Sequence, residues 1–255
     1  MDSFELQAIY IMWQRQIIRF FRSKSRVISA LARPLFFLVI LGSGLRPLNM
    51  PGLEGDYFTF LAPGIIVMSI IFSSMFIGIS VLWDRQFGFL QEVLVAPVSR
   101  FSILFGRTLG GATLSLFQGL IILGIAIVLN LQINSNIFGF LLSFVFMGLT
   151  AFTAVGFGLV LATKMEDFQG FQIIMTLIIM PLIFLSSAFF PLSSLPSVVN
   201  KASRLNPFFY LVDGLRGSLT GGNAILNPMI NLVVSAVICI VILGIGSYLF
   251  NKSEL

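Results

Sequence analysis

Between Thr108 and Thr163 the chain runs 56 residues without a charged side chain, and between Tyr57 and Trp83 it runs 27. A helix needs about 20 predominantly apolar residues to cross the hydrocarbon core of a bilayer, where backbone polar groups must be satisfied internally. The whole chain is 57% apolar and 10% charged, against about 25% charged in an average soluble domain. So few polar residues could not cover the exterior of a soluble fold. The sequence is that of an all-α polytopic membrane protein.

Charges and turn residues divide it. Tyr57–Trp83 supplies one span. The 56-residue run breaks at Asn130-Leu-Gln-Ile-Asn134-Ser-Asn136, which gives two spans near 108–129 and 137–162. A further span is expected near 168–190, closed by Pro191 and Pro196, and a last one near 229–250. The first apolar stretch, Val27–Leu45, contains Arg33 followed by Pro34. A charge at membrane depth is costly, so this helix is expected to start later than its hydropathy suggests. The total is six spans in one transmembrane domain over residues 1–255. Lys and Arg favour the cytoplasmic side. With the N-terminus inside, 11 of the 15 basic residues are cytoplasmic, which places both termini inside a cell membrane. No cleaved signal is expected, because no apolar stretch precedes the small residues at 29–32.

Three segments are expected to be other than spans. Residues 1–26 form an amphipathic helix: at 100° per residue Arg15, Arg19, Arg22 and Arg26 fall within about 60° of one another, with Leu6, Tyr10, Trp13, Ile17 and Phe20 opposite. Such a helix lies in the headgroup plane or docks a partner, and the two roles are compatible. In the loop 84–107, Phe87, Leu90 and Leu94 recur at i, i+3 and i+7, which predicts a short apolar helix over Gln86–Val95 ended by Pro97. On the cytoplasmic side it needs headgroups or a soluble partner to bury against. In the outer segment 191–228, Asn206 caps a helix with Pro207 at its first position. Asp213 and Arg216, spaced i, i+3 on that helix, can pair.

The absences also bound function. There is no histidine and one cysteine, so imidazole metal sites and an internal disulfide are excluded. No acid or lysine occupies the middle of a span, which disfavours ion-coupled carriers. No nucleophile, paired carboxylate or metal-ligand set marks an enzyme. No lysine follows a glycine, so the chain has no phosphate-binding loop of its own. Uphill transport would need energy from another polypeptide.

Two runs carry a resemblance. Asp84-Arg-Gln-Phe-Gly-Phe-Leu-Gln-Glu92-Val-Leu-Val-Ala-Pro97-Val-Ser-Arg100, followed by Gly106, resembles the loop signature of type-2 ABC exporter permeases. Asn206-Pro207-Phe-Phe-Tyr210-Leu-Val-Asp213-Gly214-Leu-Arg216-Gly217 is similar to that family's outer segment before the last span. The nearest subgroup is the daunorubicin-resistance-type permeases. The resemblance implies a half-transporter in which two permease chains, identical or different, join two ABC-type ATPase subunits. ATP and magnesium are bound by the ATPase and none by this chain. By the same resemblance Gln86–Val95 is the coupling helix, with Arg85, Phe87, Leu90, Glu92, Leu94, Pro97 and Arg100 as ATPase-coupling residues. The N-terminal helix, with Trp13, Arg15, Arg19 and Arg22, packs beside the same ATPase. Residues 191–217, including Asn206, Pro207, Asp213 and Arg216, are outer re-entrant helices. Glu92 and Arg100 could instead be solvated loop charges.

Candidate pathway residues are Ser73, Ser74, Gln118 and Gln172, for which interhelical hydrogen bonding is the competing role. Phe supplies 28 of the aromatics, and a path lined by Phe, Met and Ser suits a hydrophobic drug or a lipid-like amphiphile. Export of polysaccharide or glycolipid is the alternative within the family. An ATPase-independent carrier or channel, or a membrane scaffold, is the alternative outside it. Nothing in the sequence points to nucleic acid.

Overall fold

The computed structural model describes residues 3–44, 56–88, 98–133, 136–165 and 167–252. Every regular element among them is helical. In chain order these are α1 (Ser3–Arg22), α2 (Lys24–Phe36) continuing as a π-helical stretch (Phe37–Ser43), α3 (Tyr57–Gln86), α4 (Arg100–Val128), α5 (Ile137–Lys164), α6 (Phe168–Phe184), α7 (Ser197–Leu205), α8 (Pro207–Thr220) and α9 (Pro228–Lys252). The scarce polar residues between apolar runs serve as N-caps. The side chains of Asp56, Ser99, Asn136, Asp167 and Asn206 accept the orphan amides of Phe58, Ser102, Gly139, Gly170 and Phe208.

Helix α3 is the axis of the bundle. Its 30 residues are buried on nearly all sides by α4, α5, α8 and the π-helical stretch. Helices α5, α8 and α9 close one flank. Close approaches depend on glycine: a Cβ on Gly78 would lie 2.4 Å from the Gly158 carbonyl oxygen, and one on Gly64 would lie 2.4 Å from that of Ala188. Helix α1 turns away from the α2 axis by 73° and lies along α4. Its packed face is Ile9, Met12 and Gln16, which fall between the arginine stripe and the aromatic side, together with Phe20 from the edge of the aromatic side. Gly106 and Gly110 let the two backbones touch, since their added Cβ atoms would sit 2.6 Å from Ile9 O and 2.8 Å from Gln16 Cβ.

Four helices, α3, α4, α5 and α9, are long and apolar enough to cross a membrane; the bent pair α1 and α2 raises the number to five. Three expectations change. The first apolar helix starts at Lys24, earlier than Val27 rather than later, and carries Arg33 and Pro34 within it. Its Arg33 side chain faces out of the packed bundle, over the ring of Phe72 at 5.4 Å, so no core packing desolvates the charge. The span expected over 168–190 is a 17-residue helix ending at Phe184, because the last turn contains Pro181 and Ser187 then adopts φ 62°. The loop expected over 84–107 is shorter, since α4 begins at Arg100 and takes Arg107 into the helix.

Replacing Gly106 by valine forces α1 off α4, and overpacking of this kind costs about 1–3 kcal/mol. Limited trypsin digestion in detergent should then cut at Arg19 and Arg22 well before the rest of the chain, whereas the parent protein resists at Arg19.

Candidate functional site

At the end of α3 the Asp84 carboxylate, 5% exposed, meets three guanidiniums. Arg15 donates to both of its oxygens at 2.9 Å. Arg19 donates to Oδ1 at 3.3 Å while its guanidinium lies 5.3 Å from the centre of the Trp83 ring. Arg107 approaches from α4 as an ion pair at 2.9 Å. Arg107 is fully buried, and its Nε and Nη1 find no hydrogen-bond partner among the described residues. Arg15 and Arg19 keep under a third of their side chains exposed. Arg22 is exposed.

The other end of the same loop is tied to the start of α1. Glu5 accepts from the Ser99 amide at 3.2 Å, the Ser99 hydroxyl at 2.9 Å and the Ser102 hydroxyl at 2.5 Å. The bonds from Ser102 and then Ser99 hold the Glu5 carboxyl below the usual glutamate range. Ten helical residues separate Glu5 from Arg15, about 15 Å along α1. This one helix therefore fixes the spacing of both feet of the segment 84–100. Trp13 adds a hydrogen bond to Thr113 at 3.1 Å, and Gln16 one to Ser80 at 3.4 Å.

Of the expected coupling residues, Arg85, Phe87 and Arg100 flank these feet on the surface, with Phe87 82% exposed. Gln86 ends α3, and Gly88 turns the chain at φ 73°. Leu90, Glu92, Leu94 and Pro97, and with them most of the expected helix over Gln86–Val95, lie outside the described residues.

At the opposite end of the bundle Asn206 caps α8 as expected, with Pro207 at its first position, and its amide nitrogen donates to the Leu182 carbonyl. Asp213 and Arg216, both fully buried, do not pair with each other. Asp213 accepts from the amides of Ile225 and Leu226 at 2.8 and 2.9 Å and from Asn231 Nδ2 at 2.8 Å, which locks α8 to the start of α9. Arg216 donates to the carbonyls of Phe60 at 3.2 Å and Ser187 at 2.6 Å. Its guanidinium lies 3.8 Å from the centre of the Phe60 ring, so it fastens α8 to the start of α3 and to the turn after α6.

The four candidate pathway residues separate. Ser74 is fully buried and donates to Ser115 at 2.8 Å, joining α3 to α4. Ser73 and Gln118 border a small cavity under α2. Gln172 borders an adjoining cleft of about 730 Å³ between α2, α3 and α6. Arg33 and Phe76 line both.

With this geometry in view, the sequence pattern of the family described as ABC-2 type transporter matches residues 7–220. The chain belongs to that family. Among similar proteins is the putative transport permease ycf38 of Cyanophora paradoxa, 29% identical over 98% of this chain and 89% of the relative. Another is the inner membrane transport permease YadH of Escherichia coli K12, 30% identical over 85% of this chain and 84% of the relative. A third is the probable doxorubicin resistance ABC transporter permease protein DrrC of Mycobacterium tuberculosis, 28% identical over 91% and 85%. With its long apolar helices, the chain is a multi-pass membrane protein of the transport-permease class.

For this ABC-2 family member the sequence reading missed Glu5, Asp84, Ser99 and Arg107 as a connected set. The available signal was an acid ending a 27-residue uncharged run, with an arginine opening the next. Removing one partner of a buried ion pair costs about 3–5 kcal/mol. Asp84→Asn is thus expected to lower stability by that amount in mixed-micelle unfolding, and Asp84→Asn with Arg107→Gln by less than the sum of the single changes. Because the Glu5 carboxyl is lowered, its contribution is present at neutral pH and lost as pH falls through the lowered value. The protection of α1 amides, read as the ratio of intrinsic to observed exchange rate at each pH, should fall in acid, and Glu5→Gln should remove that acid step.

Proposed function

We propose that this chain is the permease half of an ATP-driven exporter, pairing with a second permease and two ATPase subunits that bind the ATP and magnesium. The observation that carries the reading is that α1 holds both ends of the segment 84–100, through Asp84 at one foot and Glu5 with Ser99 at the other. A loop that only linked two helices would need no such brace. A loop that receives a push does, because the load must reach the bundle rather than bend the loop.

In this reading Arg85, Phe87, Leu90, Glu92, Leu94, Pro97 and Arg100 face the ATPase, and α1 with Trp13, Arg15, Arg19 and Arg22 lies at the cytoplasmic surface beside it. Both termini are cytoplasmic. The α2 helix with its π-helical extension and the short α6 complete six spans, while α7 and α8 re-enter from the outer side. Closure of the ATPases presses the two feet. Helix α3, buried along its length, carries the displacement from Asp84 to Phe60, 24 residues and about 36 Å away. There Arg216 passes it to α8 and to the turn at Ser187, opening and closing the outer end in an alternating-access cycle. The mostly apolar cleft, with Phe72, Phe76, Met175 and Met180 in its lining, and the doxorubicin-resistance relative support a hydrophobic or amphiphilic substrate.

Gentle extraction from the native membrane should yield two permease chains with two phosphate-binding-loop ATPases by native mass. In that complex, Leu90→Arg with Glu92→Ala should abolish substrate-stimulated ATP hydrolysis while membrane insertion is unchanged. A chain that emerges alone under every mild detergent, or a double variant with full stimulation, overturns the reading.

A further inference from the structure

Arg33 places a guanidinium on the flank of the bundle, level with the middle of α3. It stacks over Phe72 at 5.4 Å. Phe72 stands 12 residues from Asp84 and 15 from Tyr57 along α3, or about 18 and 22 Å from the two ends. No carboxylate among the described residues ion-pairs with it. The contrast with the other arginines of the helical bundle is sharp: Arg107 is neutralised by Asp84, and Arg216 is enclosed by carbonyls. Arg33 instead faces open space, the cleft of about 730 Å³ that it shares with Gln172, Thr176, Met180 and Phe76. A charge at this depth is costly without a partner, and one cation–π contact offsets only part of that cost. The volume is that of a small-molecule site, mostly apolar with a few polar groups.

We infer that the α2–α3–α6 cleft binds an anionic amphiphile, with Arg33 holding its phosphate or carboxylate head and the aromatic and methionine wall holding its chain. A guanidinium offers two parallel donors to such a head, and the amide of Gln172 and the hydroxyl of Thr176 lie on the walls of the same cleft to complete its hydrogen bonds. A cationic head would be repelled, and an uncharged one would leave Arg33 unanswered. The assignment rests on the exporter reading for the transport step, and on the cleft alone for binding.

The test uses the full chain in phosphatidylcholine nanodiscs, without ATP or ATPase. Three fluorescent probes share one alkyl tail and differ in head: phosphate, trimethylammonium or uncharged glycol. A hydrogen-bonded charge pair is worth about 1.5–3 kcal/mol, so the phosphate probe should bind at least about tenfold more tightly than the ammonium probe. Arg33→Gln should erase that preference while moving the glycol probe less than about twofold, and Arg33→Lys should keep most of it. Equal affinity of the parent protein for all three heads, or a phosphate preference that survives Arg33→Gln, overturns the inference; the first comparison stands even if Arg33→Gln fails to fold. Competition by phosphatidylglycerol in the nanodisc would identify the membrane's own anionic lipid as occupant, and its absence a diffusing single-chain anion; both support the site. Head-group selectivity in a chain that extracts from its native membrane without an ATPase would keep the site and remove the exporter reading. ATPase stimulation without selectivity would do the reverse.

Discussion

Asp84 answers three guanidiniums from two helices with one carboxylate, and the arrangement of this end of the bundle follows from that shortage of negative charge. Arg107 is buried because Asp84 is there to meet it. Arg15 and Arg19 are drawn in from α1 by the same group. Without the carboxylate, α1 would be left to its glycine-mediated contact with α4, and three like charges would face one another in a space of low dielectric.

What α1 ties at one end, α8 ties at the other. Arg216 and Asp213 give α8 separate anchors on α3 and α9, so this opposite end is latched by charges that serve other groups rather than each other. Between the two ends α3 is an unbroken 30-residue helix. Helix α6, by contrast, touches its neighbours sparsely and exposes Ile173 and Leu177. The bundle thus combines a rigid axis with a loosely held wall, and the open cleft lies between them.

Much of the helical layout was legible from charge spacing, because a membrane helix must exclude charge over a fixed length, and α3, α5 and α9 follow the uncharged runs closely. The Asn206–Pro207 start was legible because capping is local. What escaped was tertiary. Spacing of i, i+3 brings Asp213 and Arg216 within reach of each other, but it cannot show that backbone groups of α3 and two turns, with the Asn231 amide of α9, claim both. Hydropathy treated Arg33 as a boundary to be avoided, whereas its side chain leaves the packed face and the helix runs on. The end of α6 depended on Pro181 acting with a left-handed Ser187, and only the fold brings that pair of effects into one turn.

The contact between α1 and the far side of its loop also sets an order of events during synthesis. Glu5 and Ser99 are 94 residues apart in the chain. At about 5–20 residues per second, α1 leaves the ribosome roughly 5–20 s before the serine it will bind. During that interval its Met12–Gln16 face and its arginines have no partner within the protein, and an amphipathic helix in that condition rests on the membrane surface. The bilayer interface is therefore the first binding partner of α1, and the clamp at Asp84 is what later takes the helix from it.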